Sequence, residues 1–181
     1  MPRKNFFLLL LPLLFATACK EQKIAECLKS FRAESILIPA DLQKVDGRVQ
    51  SEVGDAMDGI PVLILYHDSL SCSMCQISHL ADLSDVYALA DSLGTFEVMS
   101  IFSPREEEYD ELMKNIVYRD FEYPVYVDFS GSFRKKNSCI PEDAIFHYFL
   151  IDRDGHPVFV GNPAASDELW DLLNKALFSI D

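Results

Sequence analysis

Pro61-Val62-Leu63-Ile64-Leu65-Tyr66-His67-Asp68-Ser69-Leu70-Ser71-Cys72-Ser73-Met74-Cys75 decides how this chain is read. Val62 to Tyr66 are apolar without alternation, the mark of a strand buried on both faces. A short polar loop leads from it to two cysteines with two residues between them. Behind them Ile77, Leu80, Leu83, Val86, Tyr87 and Ala90 recur at helical spacing, and Gly94 stops the pattern. A C-x-x-C between a buried strand and a helix is a redox signature with a physical basis. A thiol at a helix N-terminus meets free backbone N–H groups and the positive end of the helix dipole, both of which favour the thiolate. A second thiol one turn further on lies near enough to resolve a mixed disulfide. Cys72 is therefore the expected attacking residue, nearer the helix end and more exposed, and Cys75 the resolving one, lying further in.

Downstream, Phe96 to Phe102 reads as a second strand. Ser103-Pro104-Arg105-Glu106 has the form of a capping box, and the helix it opens turns Tyr109, Leu112, Met113, Ile116 and Val117 inward. Tyr123 to Val127 is a third strand, closed by Asp128-Phe129-Ser130-Gly131. Ile145 to Ile151 is a fourth, and the turn Asp152-Arg153-Asp154-Gly155 sends Pro157 to Val160 back as a fifth. A last helix bears Leu169, Leu172, Leu173, Ala176 and Leu177. Upstream, residues 20–33 suit a helix with Ile24, Cys27, Leu28 and Phe31 along one side, and Ser35 to Ile38 a short extended piece. Residues 40–60 hold Gly47, Gly54 and Gly59 among many acids, which fits a loop or a weak helix. The order β-α-β-α-β-β-α predicts an α/β fold with a central mixed sheet and helices on both faces.

The first residues belong to a different argument. Arg3 and Lys4 precede an apolar run from Phe6 to Ala16, and Ala16-Thr17-Ala18 puts small residues before Cys19. That is an export signal, too short to span a bilayer with ease. The chain thus divides into an export signal over 1–18, an N-terminal helix and extension over 19–60, and the main domain over 61–181. A cysteine directly after the small residues resembles the bacterial lipoprotein box, which implies lipidation of Cys19 and attachment to a membrane; an ordinary secretory cut at the same place is the alternative. Either route places the domain outside the cytoplasm, in the periplasm or cell envelope, or secreted. Among 181 residues, 29 are Asp or Glu and 16 Lys or Arg, a net charge of −13. Such acidity excludes nucleic acid as a partner, since phosphates would be repelled. At 49% hydrophobic residues the chain has ample material for a packed core, which excludes a disordered protein.

Cys19, Cys27, Cys72, Cys75 and Cys139 are the five cysteines. A structural zinc site wants four ligands, usually two C-x-x-C pairs or one pair with H-x3-5-H. Cys27 and Cys139 are single and distant, and His67, His79, His147 and His156 lack that spacing, so no metal is expected. Cys27 and Cys139 read as small buried apolar residues, with a bridge between them as the alternative. His67 and Asp68, just upstream of Cys72, either tune it or relay a proton, or else form a solvated loop end; His79 reads as a surface residue. Phe121, Tyr123, Tyr126, Phe129 and Phe133 read as core and edge aromatics.

The strand before Cys72-Ser73-Met74-Cys75, Asp128-x-x-Gly131 after the third strand, and Phe149-Leu150-Ile151-Asp152-Arg153-Asp154-Gly155 before the last hairpin together resemble the thioredoxin fold. More narrowly, the stretch from Pro61 to Leu177 is similar to the TlpA/ResA-like periplasmic thiol–disulfide lipoproteins of Bacteroidetes type. The resemblance implies a three-layer α/β/α domain and an oxidoreductase that exchanges disulfides in partner proteins through Cys72 and Cys75. It also implies an upstream membrane thiol donor, and no organic cofactor, because the electrons reside on the sulfurs. Members of that family carry a cis-proline three residues before the Phe149 position, which here is Phe146, with Pro141 the nearest proline upstream. An aromatic residue usually precedes the first cysteine, and here it is Ser71; Ser73-Met74 replaces the commoner Gly-Pro or Glu-Pro. The rival reading is a non-catalytic binding or assembly module on the same scaffold, with Cys72–Cys75 a fixed staple. Copper chaperones of this architecture use C-x-x-x-C, one residue longer than the spacing here.

Overall fold

A computed structural model describes residues 22–53, 59–119 and 121–180. The export segment and Cys19 lie outside the described residues. In chain order the elements are helix α1 (22–32), strands β1 (Gln43–Asp46), β2 (Val49–Glu52) and β3 (Val62–His67), helices α2 (Ser73–Ser78) and α3 (Ser84–Leu93), strand β4 (Glu97–Phe102) and helix α4 (Tyr109–Arg119). Then come strand β5 (Val125–Val127), helix α5 (Ser132–Lys136), strands β6 (Tyr148–Ile151) and β7 (Pro157–Val160), and helix α6 (Asp167–Ser179).

All seven strands form one mixed sheet in the order β2-β1-β5-β4-β3-β6-β7. The three middle strands, β5, β4 and β3, are parallel, and each flank adds an antiparallel pair. Every residue of β3 is buried, as its unbroken apolar run requires of a central strand covered on both faces. Its side chains alternate between two cores. Leu63 and Leu65 join Ile77, Leu80, Val86, Leu112, Ile116, Leu173 and Leu177, beneath α2, α3, α4 and α6. Val62, Ile64 and Tyr66 join Phe31, Met99, Phe133, Phe146 and Phe149 on the opposite face, beneath α1 and α5. Helices therefore cover both faces of the sheet, in three layers.

Several elements differ from the sequence reading, each for a local reason. Residues 43–52, read as loop or weak helix, form the hairpin β1–β2 around Gly47-Arg48. Gly47 sits at φ 57°, a conformation that costs glycine little and suits the first loop position of a tight hairpin turn. Of these eight strand residues only Val45 is buried, so the pattern of a half-buried strand is nearly absent from the sequence. The single long helix expected behind the cysteines is broken into α2 and α3 by a 3-10 turn over Leu80–Leu83. A 3-10 turn stacks positions three apart, which lets Leu80 and Leu83 both enter the core.

The box expected at Ser103 begins two residues later. Arg105 is the N-cap and Glu108 its reciprocal partner, while Ser103 stays extended and donates to the buried Asp128 carboxylate at 3.1 Å. The fourth strand starts at Tyr148 because Asp143 caps a 3-10 turn over Ala144–Phe146 by accepting from Ile145 N–H. The third strand likewise begins at Val125, not Tyr123. Helix α5 has no counterpart in the sequence reading; Asp128 organises its start by accepting from the N–H groups of Ser132 and Phe133, both at 2.9 Å.

Candidate active site

The loop from β3 to α2 is built by Asp68. Its carboxylate accepts from the N–H groups of Leu70 and Ser71 and from the Ser71 hydroxyl, each at 3.1 Å. Asp68 is thus committed to shaping the turn that delivers Cys72, a role the sequence reading did not give it. Ser71, at the position usually held by an aromatic, serves the same turn by donating to the Asp68 carbonyl at 2.8 Å.

Cys72 is the N-cap of α2, and its Sγ accepts the backbone N–H of Cys75 at 3.3 Å. The Cys75 thiol donates to the same sulfur across 2.7 Å. Loss of two protons and two electrons to an oxidised partner, with a short approach of the sulfurs, would join them as a disulfide. The two hydrogen bonds favour charge on Cys72. Its thiol lies below the ordinary value, first because of the Cys75 thiol and then because of the Cys75 N–H, with the Glu108 carboxylate pushing the other way. The Cys75 thiol is raised, since its proton is engaged by Cys72. Both cysteines are exposed, Cys75 as well as Cys72, although Cys75 lies within the short helix α2.

Beneath this turn sits His67, 5% exposed, stacked on Phe102 with ring centroids 4.3 Å apart. Its Nε2 is buried without a hydrogen-bond partner among the described residues. Burial pushes its pKa down to about 3; the Gln76 amide and the Asp68 carboxylate pull the other way without reversing it. His67 is therefore a neutral buried ring and not part of a solvated loop end. His147, also buried, directs Nε2 at the Pro141 carbonyl, 3.0 Å away. A carbonyl only accepts, so Nε2 carries the proton there.

A groove of about 530 Å³ opens beside the cysteines, lined among others by Asp68, Leu70, Gln76, Ile145 and Asn162. Phe146, at the position of the family's cis-proline, is turned into the core beneath α1 and α5 and is 4% exposed. No cis peptide bond occurs among the described residues. Cys27 and Cys139 are free, half-buried thiols against that same core, and burial raises the Cys139 thiol. His79 is on the surface, paired with Asp82 at 2.9 Å. Tyr126 and Phe133 are core, and Phe121, Tyr123 and Phe129 partly buried edge residues.

Sequence reasoning missed one group near the sulfurs. Glu108 receives the Ser73 hydroxyl at 3.2 Å and the Arg105 guanidinium at 2.6 Å. In the sequence it is one of three acids in a first helical turn, which by itself signals only a favourable helix start.

No family model matches the sequence, and no curated protein matches it. Solved structures do. A chain from Chlorobium tepidum named as a thiol:disulfide interchange protein, DsbE, is 19% identical, with a TM-score of 0.51 over 76% of this chain and 94% of that one. An uncharacterized thioredoxin-like protein from Porphyromonas gingivalis is 18% identical, with a TM-score of 0.48 over 81% and 94%. An exposed lipoprotein thioredoxin from Streptococcus pneumoniae is 21% identical, with a TM-score of 0.47 over 77% and 99%. At such identities the likeness is one of fold. The mixed sheet, its two helical layers and the match to the Chlorobium chain establish that this chain has a thioredoxin-like α/β fold.

Proposed function

We propose that the chain is an extracytoplasmic thiol–disulfide oxidoreductase of the TlpA/ResA-like kind, acting on disulfides in partner proteins. The observation that carries this reading is the meeting of two exposed sulfurs at 2.7 Å, one of them capped by the other's backbone N–H. The Cys72 thiolate attacks one sulfur of a partner disulfide, forming a mixed disulfide and expelling the second partner sulfur as a thiolate that takes up a proton. Cys75, deprotonated, then attacks Cys72 Sγ and expels the remaining partner thiolate. The partner gains two electrons and two protons as two thiols, and Cys72–Cys75 is left oxidised. An upstream membrane dithiol returns the pair to its reduced state by the same exchange in reverse. Exposure of both sulfurs favours exchange over a fixed staple, because an attacking thiolate must reach the bond.

Localisation rests on the sequence. Arg3, Lys4, the apolar run to Ala16 and the small residues before Cys19 support export and lipid attachment at the envelope. Insulin reduction tests the chemistry. Turnover should vanish in Cys72→Ser, whereas Cys75→Ser should accumulate a mixed disulfide. No turnover by the wild type, together with a reduction potential below about −300 mV, would instead mark a structural bond in a binding module, and turnover that survives Cys72→Ser would refute attack by Cys72. Metabolic labelling with a fatty acid in a bacterial host tests the anchor, with loss of label in Cys19→Ala as the expected result.

A further inference from the structure

Of the two middle residues of the C-x-x-C, Met74 packs on the core and Ser73 is held by a side-chain hydrogen bond. Ser73 is buried, and its Oγ donates to Glu108 Oε2 at 3.2 Å. That oxygen also accepts the Arg105 backbone N–H at 3.4 Å, and Oε1 takes the Arg105 guanidinium at 2.6 Å. Glu108 is thereby fixed between the dithiol turn and the start of α4, with its side chain 17% exposed against 54% for Arg105. A carboxylate held by three donors, one of them inside the C-x-x-C, has little freedom to swing away from the sulfurs.

We propose that Arg105 and Glu108 are an opposed pair of positioning residues that sets how readily Cys72 loses its proton, with Ser73 as the strut holding Glu108 against the dithiol. The purpose of this device rests on the disulfide-exchange reading, but its existence does not. Ser73 and the Arg105–Glu108 ion pair bring both charges beside the dithiol turn, where a carboxylate disfavours a thiolate and a guanidinium favours one. The titratable and charged groups bonded to the dithiol turn or to each other beside it are Cys75 from α2, and Glu108 and Arg105 from the turn before α4. Glu107 touches the outer side of Arg105 at 3.7 Å, and Asp68 lies on the loop leading to Cys72 with one oxygen engaged by Ser71. Because Arg105 and Glu108 oppose each other, removing either one should unmask the other. That gives shifts of opposite sign, which a loss of structure would not produce.

The experiment follows alkylation of Cys72 by iodoacetamide in the reduced full chain, site by site by mass spectrometry, across a pH series. At neutral pH, Glu108→Gln should raise the Cys72 rate and Arg105→Gln should lower it, each by about two- to fivefold, the scale of an exposed charge pair. The double variant should return close to wild type, and both single effects should shrink in a Ser73→Ala background. Shifts of the same sign overturn the proposal, as do rates equal to wild type in variants whose unfolding midpoint is unchanged. If Glu108→Gln fails to fold, Arg105→Gln decides alone: a slower rate supports the pair, an unchanged or faster one refutes it. Insulin reduction on the same samples keeps the two ideas apart. An inactive wild type with opposed rate shifts defeats the exchange reading and leaves the charge pair standing; an active wild type with flat rates does the reverse.

Discussion

Replacing His67 with Phe should stabilise the protein, and by an amount that grows as the solution is acidified. Among the described residues its Nε2 is buried without a hydrogen-bond partner, and an unsatisfied buried polar atom costs about 1–3 kcal/mol. A phenyl ring keeps the stacking on Phe102 at 4.3 Å and removes that orphan, so a gain of about 1 kcal/mol is expected at pH 8. The larger effect is protonic. Burial depresses the His67 pKa from 6.5 to about 3, so between those values the unfolded chain binds a proton that the folded chain refuses. Stability must then rise with pH through that window and fall as pH drops below 6.5. At pH 5 the wild type should have lost about 2 kcal/mol through this residue relative to pH 8, and the Phe variant none. Urea unfolding of both proteins at the two pH values measures the difference of differences, in which the other carboxylates and histidines largely cancel. Overpacking by the Phe ring would lower both values equally and leave that difference intact. A gap between variant and wild type that stays the same at pH 8 and pH 5 would refute the argument, for His67 would then titrate in the fold as it does in water.

Three further substitutions test the packing. Phe31 of α1 is 1% exposed and meets Phe149 edge-on at 5.1 Å, so Phe31→Ala should cost about 3–5 kcal/mol in urea unfolding; a change below about 1 kcal/mol would mean that α1 is dispensable to the core. Gly155→Ala should cost about 2 kcal/mol or more, because φ is +84° and the new Cβ would lie 2.8 Å from the Ile36 carbonyl and the Ser35 hydroxyl. A thermal midpoint equal to wild type would contradict that geometry. Asp128→Ala removes the acceptor for Ser103, Ser132 and Phe133 and should cost about 3 kcal/mol, with faster amide exchange at Ser132 and Phe133 as its local signature.

For two elements the apolar pattern was a sufficient guide. The continuous run Val62–Tyr66 and the spacing of Leu169, Leu173 and Leu177 left one assignment each, and the structure has β3 and α6 there. The hairpin β1–β2 was not legible, because seven of its eight residues are at least partly exposed and it is held in the sheet by pairing with β5. Helix α5 was hidden for a related reason: its five residues include Arg134, Lys135 and Lys136, and its start depends on the Asp128 carboxylate, four residues before Ser132. At the candidate site the meeting of the two cysteines was readable from spacing, since they lie within one helical turn. Glu108 was not, because its partner Ser73 is 35 residues away and only the sheet brings them together.

That meeting follows from the parallel register of β3 and β4. The two strands run in step from Val62 opposite Glu97 to His67 opposite Phe102, so both end at the same edge of the sheet. The loop leaving His67 needs only five residues to reach Cys72 and turn into α2, and the segment leaving Phe102 needs only three before Glu106 begins to coil. Ser103 N–H bonds back to the His67 carbonyl at 2.9 Å, which keeps the two exits side by side at their first step. Each exit leads to a helix over the same face of the sheet, as consecutive right-handed crossovers to neighbouring parallel strands require. The first turns of those helices must therefore lie next to each other, and the side chains they project are Ser73 from one and Glu108 from the other. A slip of one residue between β3 and β4 would exchange residues between the two cores and shift the two exits relative to each other, so the packing that fixes this register also fixes which charges stand beside the sulfurs.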